Sequence, residues 1–400
     1  MTALVMNAAP ADPLSSPMDR RIALIDKLRG LMIVLMVLDH VREFAHVAAL
    51  QYQPTDIAQT SVALFATRWV THLCAPTFVL LAGASTRLQQ LRGRSGWPLS
   101  RHLLTRGAWL ILLELTIIAF GFNFALPFVF LQVIWAIGAG MILLAALVHL
   151  PARFTLILGL AIVGGYALLA PLAPEAGTPA AFLWSLLIQP GLVGVAPGFI
   201  AYPLIPWFGI MAIGYGAGAI FLAPERTQFR MLLIAGAAML LLFAALRTLN
   251  GFGDHMPWRD WPTSWQTALS FLNVSKYPPS LDFVLATLGV SLLIAPLVAR
   301  VGGLVGSMLQ ALGREPLFVY LVHIYLAHGA AMAIGAAQGI PASYFLNFLG
   351  DPTRLAGTGG GLSLVGVFGL WIAICLALWP LARWFADVKR KHPSPLLRLI

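Results

Sequence analysis

Five ionisable residues, Asp39, His40, Arg42, Glu43 and His46, share one apolar stretch between Leu28 and Ala49. The stretch opens as a membrane-spanning helix would, Leu28-Arg29-Gly30 followed by eight apolar residues. With Arg29 at the interface, Asp39 and His40 lie roughly 15 Å deeper, near the middle of a hydrocarbon layer about 30 Å thick. An ionisable group at that depth costs about 2.5 kcal/mol or more unless it faces a partner or a cavity. Five of them in one helix point to proton transfer or to recognition of a polar molecule.

Asp39, Arg42, Glu43 and His46 are spaced three, four and seven apart and so share one helix face. His40 lies about 100° round from Asp39, on the flank of that stripe. The plain alternative is a self-paired stripe, Asp39 with Arg42, that locks helix packing.

Two later stretches carry similar groups. Arg68 and His72 form an i, i+4 pair, followed by Pro76, which frees a carbonyl and makes room for a cavity. Leu312-Gly313-Arg314-Glu315-Pro316 reads as a helix start, with His323 and His328 further along. His40, His72 and His323 thus reach similar depth on three helices. No bis-histidine metal spacing accompanies them, and Cys74 and Cys375 stand alone in apolar runs, so no metal site and no disulfide framework is expected. Buried Asp and His chains are also the usual mark of proton-coupled transporters. Against a transporter, no paired broken helices occupy corresponding halves of the chain.

The elements that must position these groups follow from composition. The 400 residues are 59% hydrophobic and 10% charged, with mean hydropathy +0.85, outside the range of soluble domains. Apolar stretches recur along the whole chain, which predicts an all-α, polytopic transmembrane helical bundle embedded in a lipid bilayer. Ten spans are expected, near 28–49, 61–85, 104–122, 126–149, 154–173, 202–222, 229–248, 281–299, 315–337 and 362–385. With the N-terminus inside, 19 of the 25 Lys and Arg fall in cytoplasmic segments, which gives both termini inside. The net charge of +10 is therefore topology, and no nucleic-acid partner is expected.

Residues 1–19 read as a disordered cytoplasmic tail, polar and Pro-rich, without the basic start and apolar core of a cleavable signal peptide. Residues 389–400 read as a basic cytoplasmic tail. Between spans, residues 174–201 hold an amphipathic stretch too short to cross, expected at the outer face. Residues 249–280 interleave Trp258, Trp261 and Trp265 with polar groups, as a belt at the lipid interface or a platform for a sugar.

Four stretches together resemble a known family. Leu28-Arg29-Gly30 with His40 ten residues after the glycine is similar to the first-helix signature of bacterial membrane O-acyltransferases that decorate cell-surface sugars. More closely, Ile25-Asp26-Lys-Leu-Arg-Gly with Asp39-His40-Val-Arg42, and Thr71-His72-Leu-Cys-Ala-Pro76, resemble the bacterial branch of the heparan-α-glucosaminide N-acetyltransferase catalytic-domain family. Phe271 to Ser280 and Leu312 to His323 fit the same branch, so the likeness runs from about 20 to 385, and residues 20–388 form one acyltransferase-like domain.

The resemblance implies acetyl-CoA or another acyl-CoA as co-substrate, bound from the cytoplasm, and a saccharide-like amine or hydroxyl acceptor bound from the other side of the bacterial inner membrane. In the family's lysosomal member the working histidine lies on the stretch leading into the second span. Here Gln51 to Ala66 holds no histidine, which leaves His40 or His72 for that task. Acyl transfer needs a base on the nucleophile and a donor to the thioester oxygen. The expected catalytic set is His40 as base, Asp39 or Glu43 as its orienter, His72 as second candidate and His323 at the same depth. Arg68 and Arg42 would polarise the carbonyl or hold the acceptor. Arg101, Arg106 and Arg314 would meet the CoA phosphates. The sequence leaves room for a homo-oligomer and does not fix one.

Overall fold

The computed structural model describes residues 17–392 other than 50, 195, 351 and 352, together with 394, 397 and 399. The expected tail over 1–19 lies outside the described residues up to 16, and most of the tail beyond 392 does too. The chain is an all-α bundle of long apolar helices. Eight stretches are long and apolar enough to cross a membrane, so the protein is multi-pass.

Helix α1 (Pro17–Ala45) is the axis of the bundle. Its polar groups are tolerated because Asp39, His40 and Arg42 are each buried within the protein. It is followed by α2 (Val62–Thr71) and α3 (Cys74–Leu91). These two are one expected span broken at His72-Leu73. Pro76 has no N–H to return to the His72 carbonyl, so the ladder is interrupted there. Helix α4 (Trp97–Leu113) runs into a π-helical turn, Glu114–Ile118, and a short α5 (Ala119–Asn123).

Residues 126–132 depart from the expected fourth span. They form strand β1 (Val129–Leu131), and the helix, α6, starts only at Val133 and ends at Leu147. Pro127 cannot continue a helical ladder, and the run Phe128-Val-Phe-Leu131 suits a strand. The α6 N-terminus is capped by the buried Glu114 carboxylate, which accepts from the Gln132 and Trp135 amides at 3.3 and 2.8 Å. The π-turn is what delivers that side chain, and nothing in the periodicity announces it.

Helix α7 (Ala152–Gly165) leads to the outer segment expected not to cross. That segment holds α8 (Pro179–Leu187), β2 (Gly191–Leu192) and β3 (Gly198–Ile200). β3 is the central strand, parallel to β1 and antiparallel to β2. Next come α9 (Leu204–Ala217), α10 (Glu225–Leu249) and α11 (Ser264–Leu272). Of the three tryptophans expected as a belt or a platform, Trp258 and Trp261 are half-buried against protein and Trp265, on α11, is exposed. Trp258 donates to the Arg247 carbonyl at 2.7 Å, and Trp261 packs on Ile57, Phe65 and Leu269. The buried Arg247 guanidinium in turn donates to four carbonyls, those of Met256, Ser270, Phe271 and Asn273. It staples this loop to the bundle.

The rest comprises α12 (Leu281–Arg300), α13 (Gly303–Arg314), α14 (Pro316–Ala337), α15 (Thr353–Ala356) and α16 (Leu364–Lys391). Pro316 opens α14 as expected. Helix α13 lies outside the expected spans and crosses α1 at bare backbone. A Cβ at Gly30 would fall on the Leu309 carbonyl, and one at Gly313 on the Asp26 carbonyl. Two glycines thus set the closest approach of these helices. At the same end Asp26 faces Arg314 at 3.6 Å and Arg29 at 3.8 Å. The helical α16 carries Lys389 back to Glu315 at 2.8 Å, so the basic segment expected as a tail from 389 begins inside a packed helix. The start of α1 and the end of α16 therefore share one end of the bundle, the basic end.

Candidate active site between two cavities

Asp39 is the hub of a buried ion cluster. It accepts from Arg42 at 2.5 Å, from Arg68 with both carboxylate oxygens at 2.9 and 2.8 Å, and from the Thr71 hydroxyl at 2.7 Å. Removing one partner from such a buried pair typically costs about 3–5 kcal/mol, because the remaining charge is stranded. The cluster ties α1 to α2 and fixes the rotation of α1 beside its neighbours.

Asp39 does not orient His40, contrary to expectation, and the His40 Nδ1 contact does not go to Glu43 either. Adjacent helical residues point about 100° apart, so Asp39 and His40 serve different neighbours. The His40 Nδ1 meets the Nε2 of His323, on α14, at 2.7 Å. The rings are stacked, with centroids 4.9 Å apart and planes at 15°. Phe122 closes the other edge of His40 at 5.1 Å. The second nitrogen of His323, Nδ1, faces the Val319 carbonyl at 3.2 Å.

This chain of contacts fixes the protons. A carbonyl only accepts, so His323 Nδ1 carries a hydrogen. Neutral His323 then has a bare Nε2, and His40 Nδ1 must donate to it. His40 is left with a bare Nε2 that can accept a proton. These tautomers follow from the hydrogen-bond network.

His40 lines a cavity of about 430 Å³ at the end opposite the basic one. Asp39, Glu43, Arg68 and Thr71 also line it, as do Gln132, Lys276, Tyr202 and Tyr277. Phe128, Phe130 and Phe199, delivered by β1, β3 and the residue before β1, supply its apolar wall. Lys276 sits over the Tyr277 and Tyr202 rings at 5.0 and 5.8 Å. The Tyr202 ring is itself buried. The wall suits a polar ring-bearing molecule with an apolar face.

The remaining expected residues divide. Arg42 belongs to the Asp39 cluster behind the cavity and does not line it. His72, at the break between α2 and α3, turns away onto the Phe283 ring at 5.5 Å. Its Nδ1 has no hydrogen-bond partner among the described residues, and it lines neither cavity.

A second cavity of about 420 Å³ opens at the basic end. Arg106 and Arg314 line it, joined by Arg29, Arg92 and Lys389. Arg29 also donates to the Ser85 hydroxyl at 2.5 Å. Deeper, Leu103, Leu110, Ile134, Ile137 and Met141 make it apolar. Arg101 is exposed and does not line it. Arg101 and Arg106 are five residues apart on α4, about 140° round the helix, so both cannot face one cavity. Arg29, Arg92 and Lys389 were legible only as basic anchors, since neither their approach nor the closure by α16 is written in local spacing. Among the described residues no group of three or more His, Cys, Asp or Glu is placed to hold a metal ion.

The two cavities approach from opposite ends and share four lining residues, Met36, Phe78, Val133 and Tyr320. These form a thin partition beside the His40–His323 pair, with the Tyr320 ring centroid 5.3 Å from that of His323.

No curated protein matches the chain. A family model does: residues 21–255 match the one described as heparan-alpha-glucosaminide N-acetyltransferase, catalytic, a stretch that holds all but the first turn of α1 and both halves of the broken span. That match covers more than half of the sequence, and the chain belongs to this family.

Proposed function

We propose that the protein is a membrane acyltransferase. It moves an acyl group, acetyl foremost, from acyl-CoA at the basic end to a saccharide-like amine or hydroxyl at the opposite end. The basic end is cytoplasmic, with both termini inside, and the membrane is the bacterial inner membrane. The excess of Lys and Arg at that end supports the orientation. The family supports the reaction class.

One observation carries the reading. Two cavities of opposite character abut at a thin partition, and a histidine with a bare nitrogen stands beside it. The basic cavity suits CoA: Arg29, Arg92, Arg106, Arg314 and Lys389 answer phosphate charge, and the apolar depth answers a long, flexible arm. In this reading His40 Nε2 takes the proton from the acceptor, His323 is the positioning residue behind it, and Arg68 and Lys276 hold the polar acceptor. The proton-coupled transporter, the other reading open to the sequence, asks for a polar path from end to end. The partition offers one hydroxyl among four side chains.

The test is thiol release from acetyl-CoA by purified protein with amino-sugar or glycan acceptors, wild type against His40→Ala. A loss of roughly 10²–10⁴-fold in rate, with the variant still folded, is the expected result for a general base. Equal rates would clear His40 of the role.

A further inference from the structure

The proposed transfer needs a donor to the thioester oxygen at the wall between the two cavities. Arg68 and Lys276, assigned above to the acceptor, and Thr71, which donates to Asp39, line the outer cavity alone. Within the partition Met36, Phe78 and Val133 have no donor to offer. Tyr320 has. It is 4% exposed, and its hydroxyl is buried with no hydrogen-bond partner among the described residues. Buried hydroxyls are normally paired, and leaving one unpaired is costly, so an orphan of this kind calls for a reason. The position supplies it. Tyr320 lies three residues before His323 on α14, hence on the same helix face, and lines both cavities at the wall between them. Its ring centroid is 6.5 Å from that of His40. The side-chain amide nitrogen of Gln132 is also buried and unpartnered, but Gln132 lines the outer cavity alone.

We infer that Tyr320 is a catalytic residue whose hydroxyl donates a hydrogen bond to the thioester carbonyl oxygen as the acyl group crosses the partition. The inference rests on the proposed acyl-CoA reading. The acceptor nitrogen or oxygen bonds to the carbonyl carbon while His40 Nε2 takes its proton. The carbonyl π pair moves onto oxygen, where the Tyr320 O–H meets it and keeps its own proton. When the C=O re-forms, the C–S bond breaks, its electron pair leaves on sulfur, and the proton on His40 passes to that thiolate. The products are the acylated acceptor and free CoA thiol. Donors aimed at developing negative charge in a dry site act most strongly in the transition state.

The experiment uses full-length purified protein and two stable CoA derivatives. S-acetonyl-CoA keeps a carbonyl near the position of the thioester; S-propyl-CoA lacks it. The wild type should bind the ketone about tenfold more tightly, the worth of one hydrogen bond to a buried partner, and Tyr320→Phe should bind both alike. In thiol release with glucosamine, Tyr320→Phe should lower kcat by about 10²–10³-fold while KM for acetyl-CoA stays within about threefold. A wild type that binds the two derivatives equally overturns the inference even if the variant fails to fold. So does a variant that keeps the preference or the rate. A wild type that binds neither derivative removes the acyl-CoA reading itself, and the inference with it.

Discussion

Helix α14 carries two buried histidines five residues apart, and they do different things. His328 is held between Phe44 and Phe124, with ring centroids at 4.6 and 4.0 Å and nearly parallel planes. Its two nitrogens face the Gly121 and Phe345 carbonyls at 2.9 and 3.1 Å. A carbonyl only accepts, so the neutral ring donates to one of them, and its other nitrogen is enclosed by protein rather than facing either cavity. His323 has one nitrogen on a carbonyl and the other on a second histidine, and that second ring borders a cavity. Burial and residue type are the same in the two cases. What separates them is where the hydrogen-bond chain ends: on backbone for His328, on a bare nitrogen at a cavity for His323. A buried histidine becomes a candidate for chemistry when its chain of partners runs out at a space where a molecule fits.

Substitutions can break that comparison. The largest effect should come from His323→Ala, which removes the acceptor that fixes the His40 tautomer. It should lower kcat by about 10–10²-fold, the scale of losing an orienting partner, with KM for acetyl-CoA nearly unchanged. His323→Gln should recover part of the rate, because its side-chain oxygen can accept from His40 Nδ1. Absence of that recovery would mean that packing, not the hydrogen bond, is what His323 supplies. His328→Ala should do the reverse. It should destabilise the protein by about 1–3 kcal/mol, read as a lower Tm in detergent, since it strands a buried carbonyl and opens an aromatic stack. The kcat of the folded fraction should hold within about threefold. A tenfold loss of kcat at unchanged Tm would put His328 into the machinery and erase the distinction.

The smallest effects should lie at the basic end. Arg106→Ala should weaken CoA binding by about tenfold, the scale of one charge-assisted contact, as measured by calorimetry. Arg101→Ala should leave binding within about twofold. Equal losses from both would show that only the overall charge at that end matters, and that the cavity does not choose among its arginines.

Much of this was legible in the residues, and the failures share a cause. The first helix, its polar face, Pro316 as a helix start and the common depth of His40 and His323 follow from periodicity and rise per residue. Depth along a helix is a one-chain property. Which rings then touch is set by rotation and lateral packing, so the sequence paired His40 with its chain neighbour Asp39 when the partner is His323, 283 residues away. His72 was read as a site residue for the same reason, since depth alone could not reveal that it turns to Phe283. Helical geometry alone separates Arg101 from Arg106. The late start of α6 was signalled by Pro127 and the β-prone run after it. The π-turn that swings Glu114 under α6 has no comparable local signal.

The partition of Met36, Phe78, Val133 and Tyr320 has an electrical consequence. Away from the cavities, insulation is spread over a hydrocarbon layer about 30 Å thick. Where the cavities abut, the same job falls to a single layer of side chains, and the membrane voltage is concentrated across it. A charge crossing there exchanges about 2.3 kcal/mol for every 100 mV. In the proposed transfer a neutral acyl group crosses without that exchange, whereas a stray proton does not. The greasy character of three of the four side chains is then as much an insulator's requirement as a packing one, and a charged substitution at Met36 or Val133 would lower the barrier to that proton.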